Sequence, residues 1–323
     1  MNETRIDITH IPFSRYGAYV SVSRDEGKKE LIIHNVKRRF EEGPMFSLTF
    51  GKDEPQDFVC TASPEKIRVE NENGHAQIYI RDDQTVGIES FGLDLQVSLL
   101  RSNGYGVEES DRTFRMISVE QRTYTTFAVE QGAAYLEGPF EAYSTCENLK
   151  NKKKQLHVSC ENGHILMALT LSFVEPKPVI LPICPKEEME EVKAEWNEFL
   201  GYLSENEEAD EETGEFARIT WYNLWSSFVH AEDVYQHDTM LMSKKYMSSV
   251  WSWDHCFNAL AMAKISKQKA MEQFEAPFVL QSEHGVLPDM WNPHSEIVWG
   301  VTKPPIHGWC FSRLMDQYDF DAA

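Results

Sequence analysis

Through Pro178 the apolar positions fall in short runs of period two. Tyr19-Val20-Ser21-Val22-Ser23, Glu30-Leu31-Ile32-Ile33-His34 and Phe46-Ser47-Leu48-Thr49-Phe50 are rich in β-branched and aromatic residues, the composition of strands. Lys66-Ile67-Arg68-Val69-Glu70 alternates charged and apolar side chains, which puts one face inward and one outward. Asn73-Gly74 then leads into Ala76-Gln77-Ile78-Tyr79-Ile80-Arg81. A second Asn162-Gly163 separates Leu156–Cys160 from Ile165–Leu169. Asn-Gly between two such runs predicts a hairpin, because both residues tolerate positive φ. Many short strands with tight turns and no helical pattern between them predict an antiparallel β-sandwich over residues 1–178.

The period changes after Pro176-Lys177-Pro178 and Pro182-Ile183-Cys184-Pro185. Proline cannot donate into a ladder, so these residues close the β region, and 179–187 reads as a stiff linker. From Glu187 onward the stripe Met189, Val192, Trp196, Phe199 and Leu200 recurs at three and four, the pattern of an amphipathic helix. An acidic stretch from Glu205 to Glu215, with Glu207, Glu208, Asp210, Glu211 and Glu212, reads as a solvated loop or helix start rather than a metal site. The next helix is expected over Phe216–Val229. Trp221, Tyr222, Leu224, Trp225 and Phe228 cover most of its circumference, so it should be buried between neighbours. Further helices are expected near 254–265, 268–282 and 306–318. The fold class is therefore multidomain, β then α, with the helical part over 188–323.

Composition narrows the function classes. The chain of 323 residues carries a formal net charge of −21, which disfavours nucleic acid and anionic membrane surfaces as partners. No apolar run has the length of a transmembrane helix, and Met1-Asn2-Glu3-Thr4-Arg5-Ile6-Asp7 lacks the apolar core of a signal peptide. Six cysteines (Cys60, Cys146, Cys160, Cys184, Cys256 and Cys310) form no C-x-x-C pair. They read as reduced thiols, and the compartment expected is the cytoplasm. There is no G-x-S-x-G, P-loop, dinucleotide fingerprint or H-E-x-x-H, and Gly104-Tyr105-Gly106 belongs to an Asn-Gly turn region rather than a phosphate loop. No cofactor or metal is expected.

The densest chemistry lies in Trp251-Ser252-Trp253-Asp254-His255-Cys256-Phe257, two indoles and a phenyl ring about one carboxylate. An Asp among rings is costly to ionise and can serve as a general acid. The same Asp is also a favoured helix cap, and a helix N-terminus stabilises its carboxylate. Downstream, Gly285-Val286-Leu287-Pro288-Asp289-Met290-Trp291-Asn292 has the residues of a turn or binding loop, with Asp289 either a ligand or a turn residue. Lys303-Pro304-Pro305-Ile306-His307-Gly308-Trp309 reads as a helix start, with His307 either functional or a structural hydrogen-bonder. Gln281 is a polar residue at a helix end. Aromatic platforms beside carboxylates suit sugar rings, which offer apolar faces for stacking and hydroxyls for hydrogen bonds.

Taken in order, the string Met242-Ser243-Lys244-Lys245-Tyr246-Met247, then Val250 to Leu260, then Gln281, Gly285–Asp289 and Pro304-Pro305-Ile306-His307-Gly308-Trp309 resembles the family 63 glycoside hydrolases, chiefly bacterial members related to mannosylglycerate hydrolase. Phe13-Ser14-Arg15-Tyr16-Gly17 is similar to the opening of their N-terminal β-sandwich. The resemblance implies a β-sandwich followed by an (α/α)6 toroid, and inverting hydrolysis of an α-glycosidic bond in a small saccharide. It implies Asp254 as the general acid, and Trp251, Trp253, Phe257, Gln281, Asp289, His307 and Trp309 as the lining of the sugar subsite. Inversion also needs a carboxylate base about 6.5–9.5 Å from the acid.

Twelve helices take on the order of 350 residues, more than follow Pro185. The late barrel Glu that serves the family as base matches no position here; Asp316, Asp319 and Asp321 do not resemble it. The chain is therefore expected to be the N-terminal part of a glycosidase, with little turnover as it stands and self-association through uncovered helix faces. A non-catalytic carbohydrate-binding protein and a degraded glycosidase remnant are the alternatives.

Overall fold

The computed structural model describes residues 4–37, 43–101, 103–119, 121–137, 154–202, 211–293, 297–301 and 303–318. Of the acidic stretch, residues 205–210 lie outside the described residues, as do Cys146, Asp319 and Asp321.

Among the described residues, fourteen strands precede the helices: β1 Val20–Ser23, β2 Leu31–Asn35, β3 Pro44–Phe50, β4 Val59–Ser63, β5 Lys66–Asn71, β6 Gly74–Ile80, β7 Thr85–Phe91, β8 Leu95–Leu99, β9 Gly104–Glu108, β10 Thr113–Ser118, β11 Thr123–Gln131, β12 Ala133–Glu137, β13 Gln155–Ser159 and β14 His164–Phe173. They form a six-stranded sheet, β1-β2-β3-β8-β13-β12, and an eight-stranded sheet, β4-β5-β6-β7-β14-β11-β10-β9. Every neighbouring pair in both sheets is antiparallel. The alternation read in Lys66–Glu70 is realised, with Ile67 and Val69 buried in the core. Phe46 of one sheet meets Phe127 of the other edge to face at 5.6 Å, so the sheets pack through their apolar faces.

The first Asn-Gly closes the β5–β6 hairpin, with Asn71 facing Gly74. The second makes a turn but no hairpin. Asn162 and Gly163 both take positive φ, 53° and 77°, and Glu161 bridges His164. Beyond that bridge β13 joins the six-stranded sheet and β14 the eight-stranded sheet. The turn residues were legible; what they connect was settled by the apolar strands, which found partners in different layers. Gly104-Tyr105-Gly106 likewise belongs to edge strand β9 rather than to a turn.

The proline-rich segment is strapped to the outside of the eight-stranded sheet. Val179 and Ile183 are buried against Tyr79, Ala128, Leu166 and Ala168, and the Arg81 guanidinium donates to Ile180 O and to Glu188. Helix α1, Pro185–Gly201, follows with Pro at its start, Glu187 and Glu188 in its first turn, and Val192, Trp196 and Phe199 buried. Helix α2 spans Glu211–Ser227. It ends before the expected Val229 because Phe228–Val229 becomes β15, paired with β16 Thr239–Met240. It lies between neighbours as expected, with Tyr222 and Trp225 in the sandwich core and Trp221 and Leu224 also packed on a second cluster around Phe228 and Met262. Trp225 meets Trp196 at 5.5 Å and Tyr222 is fully buried, whereas Phe216 is 72% exposed.

Three shorter helices complete the described chain: α3 Asp254–Met262, α4 Lys267–Val279 and α5 His307–Gln317. Two residue pairs, β17 Val250–Trp251 and β18 Met290–Trp291, lie antiparallel beside them. None of the described helices is long and apolar enough to cross a membrane.

The β and α parts meet at the segment Ser14–Gly17. Tyr222 exchanges hydrogen bonds with the Ser14 backbone, accepting from its N–H and donating to its carbonyl, both at 3.1 Å. Arg15 donates to Glu191 and Glu195 of α1 and to Arg81 O. Gly17 has φ +82° and sits so close to the His230 ring that a Cβ there would lie 2.0 Å from it; only glycine satisfies both constraints. Lys244 closes the joint from the helical side. Its buried ammonium donates to Ser14 Oγ, Arg15 O and Phe228 O at 3.1, 3.1 and 2.6 Å. Replacing Lys244 with Met removes one donor from each of three buried oxygens, although Phe228 O keeps the Gly17 N–H and Arg15 O the Ala18 N–H, and should cost roughly 1–3 kcal/mol of stability. Urea unfolding checks this; a loss below about 0.5 kcal/mol would mean that the joint does not depend on it.

Candidate functional site

The site grows from the β17–β18 pair. Val250 lies opposite Trp291 and Trp251 opposite Met290, and Ser252 N–H donates to Asp289 O at 3.0 Å. The Trp251 stretch and the Asp289 loop, far apart in sequence, thus become adjacent backbones. Helix α3 begins at once with Asp254 in its first turn. Trp253 is the cap, with no side-chain capping bond, so Asp254 is not the cap that its residue type allowed. One side of α3 buries His255, Cys256, Ala259 and Met262, while Asp254 and Phe257 lie outside that buried set.

Helix α5 packs against α3 and supplies the other wall. Cys310 Sγ donates to Cys256 O at 3.2 Å. At the start of α5, the His307 Nε2 hydrogen bonds to Ser252 O at 3.1 Å, which makes Nε2 the protonated nitrogen. Phe278 meets the His307 ring edge-on at 5.6 Å. Trp253, Phe257 and Trp309 form a row, with successive ring centroids 6.0 and 6.2 Å apart. Phe257 is 49% and Trp309 47% exposed, so the row presents an open aromatic face beside the carboxylate.

Two carboxylates and one ammonium set the electrostatics. Asp289 is 94% buried by its neighbours, with 6% of its surface left exposed. Its Oδ1 makes no hydrogen bond among the described residues and faces Lys303 Nζ at 3.6 Å. Burial pushes the Asp254 carboxyl above its ordinary value, and the Asp289 charge adds to that push. The backbone N–H of Asp254 and the Lys303 ammonium pull the other way without cancelling it. His307 is moved below its ordinary value by burial, with the Ser252 bond opposing; it is therefore a neutral imidazole near pH 7.

Of the residues expected from sequence, Trp251, Trp253, Asp254, Phe257, Asp289, His307 and Trp309 are gathered by these two helix starts and the strand pair. Gln281 is not brought in. It is exposed, and its amide donates to Gly285 O at 2.9 Å, bracing its own turn. Three contributors escaped sequence reading. Ser252 acts through backbone groups that no side-chain pattern reveals. Lys303 was visible only as the residue before a helix start. His255 lies beneath the site, its two ring nitrogens 2.9 Å from Gln273 O and 3.0 Å from Met240 O. Burial lowers its pKa to about 4. The one available signal was its position inside the aromatic string.

Among the described residues no three His, Cys, Asp or Glu side chains converge to hold a metal ion, and the five described cysteines are free thiols. The chain matches no protein-family model and no curated protein.

A raised carboxyl pKa means that ionised Asp254 costs the folded state more than the unfolded one. That cost is absent below the unfolded value of 3.8 and grows as pH rises through it toward the folded value. Asp254→Asn should therefore be more stable than the parent at about pH 7 and equal to it at about pH 3, measured as Tm at both. In ¹³C-carboxyl NMR titrations, Asp289→Asn should lower the Asp254 midpoint and Lys303→Gln should raise it. Midpoints that do not move would mean that the three groups are electrostatically independent.

Proposed function

We propose that this chain carries the acid half of a glycosidase site, acting on an α-glycosidic bond of a small saccharide with inversion. The observation that supports it most is Asp254, a carboxyl raised by burial and set beside the Trp253–Phe257–Trp309 row. A carboxylic acid that keeps its proton toward neutral pH can donate it to a departing glycosidic oxygen. The ring row offers the stacking surface that a sugar face needs. His307, neutral and held through Nε2, keeps Nδ1 as an acceptor for a hydroxyl. Asp289 with Lys303 supplies a fixed charge pair behind the subsite.

The reading follows the resemblance to family 63 glycoside hydrolases, and in it α1 to α5 are the opening helices of an (α/α)6 toroid. Inversion also requires a carboxylate base across the sugar from the acid; this reading assigns none among the described residues. A second reading is a saccharide-binding protein without turnover, for which the exposed Phe257 and Trp309 rings would serve as the stacking surface.

A panel of α-linked disaccharides separates the two. Under the first reading, hydrolysis by a form of the protein that also carries the base is lost about 100-fold or more in Asp254→Asn, while binding, followed by indole fluorescence, stays within a few-fold. Equal hydrolysis by both proteins would refute the acid role. Binding without hydrolysis in either protein would favour the second reading.

A further inference from the structure

A second polar groove lies on the outer face of the six-stranded sheet, far from Asp254 in the fold. The helical part is bonded to the β1 edge of this sheet and the turn after β2, through Ser21 Oγ to Lys244 O and Asn292 to Val36 O. The groove instead crosses the four strands from β3 to β12 and encloses about 930 Å³, within the range of small-ligand sites.

Its floor is built by register. Ser47 pairs with Ser98, Ser98 with Gln155, and Gln155 with Glu137, giving one row across four strands. Thr49, Gln96, His157 and Tyr135 pair in the same way to give a second row. The alternate residues Leu48, Val97, Leu156 and their neighbours enter the core, so these eight side chains share the outer face.

Charged residues make up 26% of the chain, and solvated strand faces use them freely. Here one floor residue in eight, Glu137, carries a formal charge, and it is hydrogen bonded to His157 Nε2 at 2.7 Å. The remainder are hydroxyls, amides, an imidazole and a phenol. Ser47 and Gln96 are buried despite facing outward, because the 52–55 loop and Lys29–Glu30 stand above them as walls. The Gln96 amide donates to Lys52 O at 3.1 Å and the Gln155 amide to Ser98 Oγ at 2.8 Å, which fixes the rows. At the end of the second row the Tyr135 ring lies parallel to His157, 6° apart with centroids at 4.7 Å, and the residue remains 56% exposed.

We infer that this groove binds a neutral oligosaccharide, with the hydroxyl and amide rows pairing its hydroxyls and Tyr135 carrying a sugar ring. A walled, mostly uncharged floor of donors and acceptors, with Glu137 its one charged residue, ending in an aromatic ring complements that chemistry. It offers little to a phosphate or a polyanion, for which cationic donors would be needed. The rim carries both signs, Lys29 and Lys52 against Glu30, Asp53 and Glu54. The inference stands apart from the role given to Asp254.

The test is native-gel affinity electrophoresis of the full chain through amylose, mannan, xylan or mixed-linkage β-glucan, followed by calorimetry with the matching oligosaccharide. At least one of the four polysaccharides should retard the chain. Tyr135→Ala and Gln155→Ala should each weaken binding about tenfold or more, whereas Tyr135→Phe binds like the parent. Tyr135 is largely exposed, so unchanged Tm will certify its variants as folded. Three outcomes overturn the inference: retardation by none of the four, undiminished binding in folded Tyr135→Ala, or loss in Trp309→Ala with Tyr135→Ala intact. The last would place saccharide binding at the Asp254 site alone.

Discussion

A single buried ammonium organises this molecule. Lys244, from the loop before β17, reaches into the place where the start of the β part and the residue after α2 converge, and both present oxygen atoms to it. Burial drives its pKa well below the ordinary lysine value, the expected response of a charge removed from water. Three acceptors from two different segments surround the amine and oppose that cost without cancelling it. The Lys244 carbonyl in turn accepts from Ser21 Oγ at 2.5 Å, so the residue is held to β1 as well. An apolar side chain could fill the same space but could not gather polar backbone from both parts. The position of β17, and with it that of Asp254, is inherited from this joint.

Asp254 embodies a competition between two local fields. A helix N-terminus favours carboxylate, whereas burial beside rings and a second carboxylate disfavours it. Burial is the larger influence here. The outcome depends on the β17–β18 pair, because Ser252 bonded to Asp289 O brings the second charge close. Lys303 then limits the effect by pairing with Asp289. The acid property therefore belongs to an arrangement of three segments rather than to the aromatic string alone.

What the sequence disclosed divides along the same line. Strand periodicity, the shift to helices after the prolines, and the stripe on α1 were legible because each depends on local spacing. The starts of α3 and α5 were close to those expected for the same reason. Asn162-Gly163 revealed its turn but not its partners, since pairing depends on which layer each apolar strand can enter. The aromatic residues of α2 do place it between two clusters, but Phe216 in its opening turns is 72% exposed. Gln281 and Lys244 make contacts, to Gly285 O and to the Ser14–Arg15 and Phe228 oxygens, that spacing did not reveal. The role of a polar side chain depends on which backbone oxygen it meets, and no spacing rule encodes that.

The crossover at Asn162-Gly163 also orders assembly in time. Strands β4 to β7 form one local meander and β9 to β11 another, and both are complete before β14 leaves the ribosome. Until then each exposes an open edge, β7 on one side and β11 on the other. Strand β14 is the last of its sheet to be made and lies between those two edges, pairing along most of its length with both. Insertion of this strand turns two ribbons into one sheet. Loop closure over so many residues is slow, and unpaired edges invite pairing between chains. The same strand that completes the layer thus sets how long the nascent protein remains open to the wrong partner.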